Sequence, residues 1–218
     1  MAELPLDPMV AKVLLEAKEQ DCLEEMLTIA AMGSVSTVFH GALDPSQSRF
    51  AVEEGDHLTF LNIFAMYQSH AQQPSWFNKN GLHHKNLVQA ATVRRQLTRY
   101  MHKFQQFSQK MEQSKQNPKK KIDRALKSKQ IRHCLTSGYF ANAAIGRGDG
   151  SYQSVRHPAT VLYIHPNSVL FTRAPPCVIY HDIVSTTKHF MQHVTAIDLE
   201  WLHEVAPHYY ETVTKKKT

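Results

Sequence analysis

The sequence predicts an α+β protein, with a helical domain first and a small β domain last. Apolar residues recur every three or four positions before residue 112, which is the period of amphipathic helices. After Gly138, short β-rich runs alternate with Gly, Pro, Asn and Asp. Helices followed by strands indicate two domains. We place them at residues 1–128 and 129–211, with a basic tail at 212–218.

The first three helices follow from apolar spacing and end signals. Val10, Val13, Leu14 and Ala17 share one face after Asp7, a plausible N-cap that precedes Pro8 at the first helical position. Residues 22–33 form the second predicted helix, with Asp21 as its cap and Gly33 as its terminator. Residues 57–69 form the third, with Asp56 as its N-cap.

The longest predicted helix covers residues 86–111. Its core-facing stripe consists of Ala90, Val93, Leu97, Tyr100, Phe104 and Phe107. Arg94 lies at the edge of this stripe, so its guanidinium must find a partner or reach solvent. A basic loop and a short helix over residues 122–134 complete the first domain.

The second domain has the strand spacing of a small barrel or sandwich. Strands are predicted at residues 139–145, 152–155, 160–164, 178–185 and 190–197. Between the first two lies Gly146-Arg147-Gly148-Asp149-Gly150, a cluster that favours a β-turn.

Composition excludes several classes of protein. With 42% hydrophobic and 20% charged residues the chain is neither disordered nor fibrous. No apolar run is long enough to span a membrane, and the N-terminus lacks the pattern of a secretory signal. Three widely separated cysteines suit a reducing compartment.

Charge is distributed unevenly along the chain. The net charge is −8 over residues 1–56, +6 over 57–109, +7 over 110–132 and +1 over 133–218. A basic central third can attract nucleic acid, although it can equally be a solvated face.

Motifs for catalysis are missing from the sequence. It contains no HExxH or paired cysteines for zinc, no GxSxG nucleophile and no phosphate-binding loop. A binding function remains, and a small barrel with basic and aromatic residues is a common platform for single-stranded nucleic acid. The candidates in the second domain are Tyr152, Arg156, Arg173, Lys188, His189 and Phe190. Each can instead be a core residue or a solubilising charge.

Eight segments, in order, carry a resemblance to a known family. They are MAELPLDPMVAKVLL, CLEEMLTIAAMGSVSTVF, EGDHLTFLNIF, NLVQAATVRRQL, IRHCLTSGYFANAA, YIHPNSVLF, VIYHDIVSTTKHFM and VTAIDLEWLHEVAPHYY. The chain resembles the C-terminal part of a DEAH-box ATP-dependent RNA helicase. The resemblance implies that residues 1–128 are the tail of a winged helix plus a ratchet-like helical domain, and that residues 129–211 are an OB-fold.

The resemblance also implies a function. These regions line the exit of an RNA channel and dock partners, so the expected partners are single-stranded RNA, RecA-like helicase domains and a G-patch protein, with no membrane. The RecA-like domains, which bind ATP and magnesium, have no counterpart here, so no cofactor and no activity are expected of this chain alone. Pre-mRNA splicing or ribosome biogenesis is the expected setting, with a nuclear or nucleocytoplasmic location.

Two site residues follow from matching family motifs. Arg94 in TVRRQL matches an arginine of the ratchet motif, and Lys188 in STTKHFM matches the TxK motif of the OB-fold. Lys119, Lys120 and Lys121 are expected to add salt-sensitive contacts to phosphates. The alternative is a stand-alone OB-fold module that binds RNA or protein and has no catalysis of its own; a non-functional truncation is a third, weaker reading.

Overall fold

A computed structural model describes residues 7–41, 48–109 and 124–210. The helices are α1 (Pro8–Glu19), α2 (Leu23–Gly33), α3 (Asp56–His70), α4 (Pro74–Lys79), α5 (His84–Gln109), α6 (Arg124–Tyr139) and α7 (Leu199–Val205). The strands are β1 (Ala143–Gly146), β2 (Tyr152–Ser154), β3 (Val161–Ile164), β4 (Cys177–Ser185) and β5 (His189–Ala196). Helices first and strands last, as predicted, make an α+β protein. None of the helices in the described part could cross a membrane.

The predicted start of α1 is confirmed. The Met9 amide donates to Asp7 Oδ1 at 2.7 Å, and Pro8 occupies the first turn. The predicted cap of α2 is wrong, because Cys22 takes that position and Asp21 adopts a left-handed backbone with a φ of 50°. The short helix α4 lies between the predicted third helix and the long helix.

The long helix α5 buries a slightly different stripe from the predicted one. Ala90 and Leu97 are buried as expected, but Tyr100 is 43% exposed and Met101 takes its place in the core. A step of four residues after Leu97 keeps the stripe in line with the 3.6-residue period. The side chains of Phe104 and Phe107 lie outside the described residues.

The five strands close into a barrel of order β1-β2-β3-β5-β4. All pairs are antiparallel except β3 with β5, in which Tyr163 faces Phe190 in a parallel register. This closed topology is consistent with the predicted OB-fold. The first predicted strand begins too early, because α6 continues to Tyr139. Helix α6 therefore crosses the predicted boundary at 128/129 and packs against α1 before the chain enters the barrel.

Two glycines allow close backbone contacts, one between two helices and one between the helical part and the barrel. A Cβ on Gly138 of α6 would lie 2.5 Å from Met9 O, so α6 and α1 approach each other backbone to backbone. A Cβ on Gly55 would lie 2.5 Å from Val194 O of β5, and the φ of 135° at Gly55 itself favours glycine. The helical part and the barrel are therefore joined at their seam by a backbone contact at Gly55.

Asp56 links the seam by hydrogen bonds, which corrects its predicted role as a cap for its own helix. Its Oδ1 accepts from the Val169 amide at 2.9 Å and its Oδ2 from the Val194 amide at 2.7 Å. Gly55, not Asp56, is the N-cap of α3. A carboxylate at the start of a helix thus bonds the backbone of the neighbouring domain.

Candidate nucleic-acid interface

The outer side of strands β3 and β5 presents a row of aromatic and polar side chains. Leu162 and Ile164 of β3 and Met191 of β5 point into the barrel core. Because side chains alternate along a strand, Tyr163, Phe190 and Gln192 lie on the outer side, and His165 follows at the end of β3. We call these four residues together with Lys188 the β3–β5 face.

Lys188 is positioned at one end of this face by the turn between β4 and β5. The Thr186 amide donates to Lys188 O at 2.9 Å, and Ser185 Oγ lies 2.8 Å from His189 Nδ1 across the same turn. Lys188 Nζ lies 4.2 Å from the centroid of the Tyr163 ring. Within the described residues no carboxylate lies within ion-pair distance of this ammonium group. The side chain is exposed, so its charge can meet an anion.

The rings on the face contact one another. The centroids of Tyr163 and Phe190 are 6.2 Å apart, and those of Phe190 and His165 are 5.8 Å apart. Burial lowers the pKa of His165, which keeps its ring neutral near pH 7. A half-buried row of aromatic rings beside a cation is the arrangement on which successive bases of a single strand stack.

The other predicted residues of the barrel lie elsewhere. Arg156 is exposed in the β2–β3 loop. Arg173, between β3 and β4, forms a 3.1 Å ion pair with Glu53, and both side chains are so exposed that the pair contributes little. The structure does not gather these two arginines onto the β3–β5 face.

Tyr152 lies inside the barrel and not on its surface. The residue is 2% exposed, packs in the barrel core, and donates its hydroxyl to Pro175 O at 2.8 Å. Its ring has no free face for a base, so the structure argues against Tyr152 as an RNA-stacking residue.

Arg94 is bound within the helical part. Its NH2 group donates to Glu24 Oε2 at 2.6 Å, its Nε donates to Thr28 Oγ1 at 2.8 Å, and its guanidinium lies 5.7 Å from the Phe64 ring centroid. Only 23% of the side chain is exposed. Its charge is therefore already used to join α5 to α2.

Comparison with known proteins matches two segments of the chain, one in the helical part and one covering the barrel. Residues 7–60 match the family described as "Helicase associated domain (HA2), ratchet-like", and residues 131–209 match "Oligonucleotide/oligosaccharide-binding (OB)-fold". The chain is 40% identical over 227 residues to the "Probable ATP-dependent RNA helicase DHX35" of Pongo abelii and 41% identical over 223 residues to that of Homo sapiens. These alignments cover 100% and 98% of this chain and 29% of each relative.

The chain is homologous to the C-terminal region of DEAH-box RNA helicases. The order of its two family matches is the order of the two structural parts, helices first and barrel last. The chain spans about 29% of the length of these relatives, and the homology applies to that portion.

A second cationic surface, which motif matching did not single out, follows helix α5. It consists of the exposed side chains of Lys85, Arg95, Arg99 and Lys103. Among the described residues none of the four is within ion-pair distance of a carboxylate. The signal was present in the sequence, since residues 57–109 contain six basic residues and no acid.

Three residues of the face were also missed, Tyr163, His165 and Gln192. The alternation from residue 161 to residue 165 could have found the first two, because it sets Leu162 and Ile164 against Tyr163 and His165. Lys119, Lys120 and Lys121 lie outside the described residues. No cluster of three or more metal-binding side chains occurs in the parts of the chain that the structure describes.

Proposed function

We propose that this chain is the C-terminal RNA-binding region of an ATP-dependent DEAH-box RNA helicase. In this proposal the β3–β5 face holds single-stranded RNA, while RecA-like domains supply ATP hydrolysis. The observation that carries the proposal is Lys188 lying over Tyr163 beside the half-buried ring of Phe190. A positive charge beside aromatic rings combines a contact for a phosphate with surfaces on which the neighbouring bases can stack.

The chemistry of the face favours single strands over duplexes. Bases in a duplex are stacked on each other, so aromatic side chains can stack only on unpaired ones. The contact between Lys188 and Tyr163 holds the ammonium group near the rings, which reduces the entropy lost when RNA binds. The cationic surface of α5 consists of charged side chains and contributes no row of aromatic rings. It therefore favours non-specific attraction of the RNA backbone.

Partner docking belongs to the same proposal. Ile183 and Val184 of β4 are 40% and 36% exposed, next to the turn that carries Lys188. Exposed apolar residues beside the β3–β5 face would suit contact with a protein whose binding depends on whether RNA is bound there. A G-patch protein is the partner that we propose. The proposed setting is pre-mRNA splicing or ribosome biogenesis in the nucleus.

Reversal of one charge tests the proposal. In anisotropy titrations at low salt, we expect Lys188→Glu to weaken binding of single-stranded RNA by about tenfold, or ~1.4 kcal/mol, the scale of a lost charge-assisted contact. Lys18→Glu makes the same change at an exposed position of α1 and should leave the affinity unchanged.

Circular dichroism is the folding control, since an exposed charge reversal normally changes stability by less than about 0.5 kcal/mol. Equal affinities for the wild type and Lys188→Glu would contradict RNA binding at this face. In that case the barrel would be better explained as a docking surface for protein.

A further inference from the structure

A small cleft opens at the seam between the helical part and the barrel. Its volume is about 130 Å³. One wall is the segment of residues 35–39 after α2, and the other is formed by residues 165–168 and by Gln192 and His193 of β5. Asp56, which lines the cleft, accepts hydrogen bonds from the Val169 and Val194 amides, next to the second wall.

The cleft continues the β3–β5 face. His165 contacts the Phe190 ring and also lines the cleft. Gln192 lies two residues after Phe190, hence on the same side of β5, and lines the cleft as well. An RNA strand whose bases stack on Tyr163 and Phe190, and which runs along β5, therefore reaches the mouth of the cleft.

The lining offers hydrogen bonds without positive charge. Asn167 and Gln192 have side-chain amides with no hydrogen-bond partner among the described residues. Both oxygens of Asp56 are occupied by the backbone amides of Val169 and Val194. No lysine or arginine lines the cleft, and burial lowers the pKa values of His165 and His193. The cleft therefore suits a neutral group with donors and acceptors, and it does not suit a phosphate.

Size limits the ligand further. Pockets for drug-sized molecules have volumes of about 300–1,000 Å³, whereas an apolar cavity of about 150 Å³ holds a single benzene ring. A cleft of about 130 Å³ has room for one six-membered ring and little more. Side-chain amides pair readily with the edges of nucleobases, which are flat and carry adjacent donors and acceptors.

We propose that this cleft receives one pyrimidine base of the RNA strand that lies on the β3–β5 face. The inference rests on the proposed function, because it requires RNA to lie on that face. Asn167 and Gln192 would bond the edge of the base, and the rings of His165 and Phe39 would flank it. The chain would then prefer pyrimidines at one nucleotide position.

The test compares labelled oligo(U), oligo(C) and oligo(A) of equal length. We expect the double variant Asn167→Ala/Gln192→Ala to lose about fivefold in affinity for oligo(U) and oligo(C) and none for oligo(A). Ser36→Trp, which adds a large ring at the exposed rim of the cleft, should have the same effect by filling it. Gln89→Ala removes an amide from an exposed position of α5 and should change none of the three affinities.

The change in affinity caused by the variants, and not the preference of the wild type, decides whether the cleft binds a base. Proteins that bind single strands can favour pyrimidines through base stacking alone. If the double variant and Ser36→Trp shift all three affinities equally or not at all, the cleft binds no base and a protein side chain becomes its better occupant. The proposed function would still stand if Lys188→Glu weakens all three. If the wild type binds none of the oligonucleotides, the proposed function fails and the cleft proposal fails with it.

Discussion

Arg94 and Lys188 match family motifs equally well, yet the structure gives them opposite surroundings. Arg94 donates to Glu24 and Thr28 inside the helical part, whereas Lys188 is exposed beside Tyr163 on the barrel. A cation that already has a carboxylate partner gains little from a phosphate, because the first bond must be broken. The comparison teaches that a motif identifies the type of residue, and that its packed neighbours decide what it can bind.

Charge distribution explains the difference between the two regions. The acidic first segment supplies carboxylates to the helices, where Glu24 pairs with Arg94 and Glu25 with Lys127 at 3.3 Å. On the barrel, Asp182 lies 3.5 Å from the neighbouring His181, and no carboxylate in the described part of the chain lies within ion-pair distance of Lys188. The carboxylates of the first segment thus neutralise Arg94 and Lys127, whereas Lys188 keeps an exposed charge.

The largest effect is expected at the joint between the two regions. We expect Gly55→Ala to lower the free energy of unfolding by about 3 kcal/mol, measured by urea denaturation, because its Cβ would meet Val194 O at 2.5 Å in a strained backbone. Gly33→Ala is the matched control, since a Cβ there meets no heavy atom within 4 Å. Similar stabilities for the two variants would mean that the helices and barrel are not held together at this seam.

A smaller effect is expected from pH. Burial, followed by repulsion from His181, lowers the pKa of His193 to about 4, although Asp182 acts in the opposite direction. A histidine whose folded pKa lies below its unfolded pKa of about 6.5 contributes stability above that pH, and this contribution is lost as the pH falls. From about pH 7.5 to about 5.5 the loss should be about 1.3 kcal/mol.

His193→Asn isolates this contribution in urea denaturation at the two pH values. Asparagine tolerates the φ of 50° at this position and does not titrate. Burial also lowers the pKa of His57, so this residue makes the folded protein less stable as the pH falls, as His193 does. Burial raises the pKa of Asp56 to about 6, so this residue makes the folded protein more stable as the pH falls. Both remain in the variant, so the difference between the two proteins reports His193. An identical pH dependence would contradict its neutral, buried state.

The sequence predicted the order of the elements well because periodicity is a local property. Three of the four buried residues of α1, Val13, Leu14 and Ala17, and the strands predicted at 152–155, 160–164, 178–185 and 190–197 were recognisable from spacing alone, whereas Ala11 is buried in place of the predicted Val10. Long-range contacts were not. Nothing near Asp56 in the chain indicates that its carboxylate bonds β5, and nothing near Tyr152 indicates that its hydroxyl meets Pro175 across the barrel.

The candidate site was predicted in part for the same reason. Lys188 was found from a motif, whereas the rings beside it depend on the parallel pairing of β3 with β5, which joins residues more than 20 positions apart. Arg94 was known to need a partner or solvent, and the choice between them depended on where α2 packs against α5.

The salt dependence of RNA binding tests the central contrast most directly. Arg94→Gln and Lys188→Gln each remove one positive charge, and the slope of log affinity against log salt counts the phosphate contacts that remain. We predict that Lys188→Gln makes this slope shallower by about 0.7, the value of one single-strand contact. Arg94→Gln should leave the slope unchanged and instead lower the free energy of unfolding by about 1–2 kcal/mol. A slope that changes for Arg94→Gln and stays constant for Lys188→Gln would contradict the account.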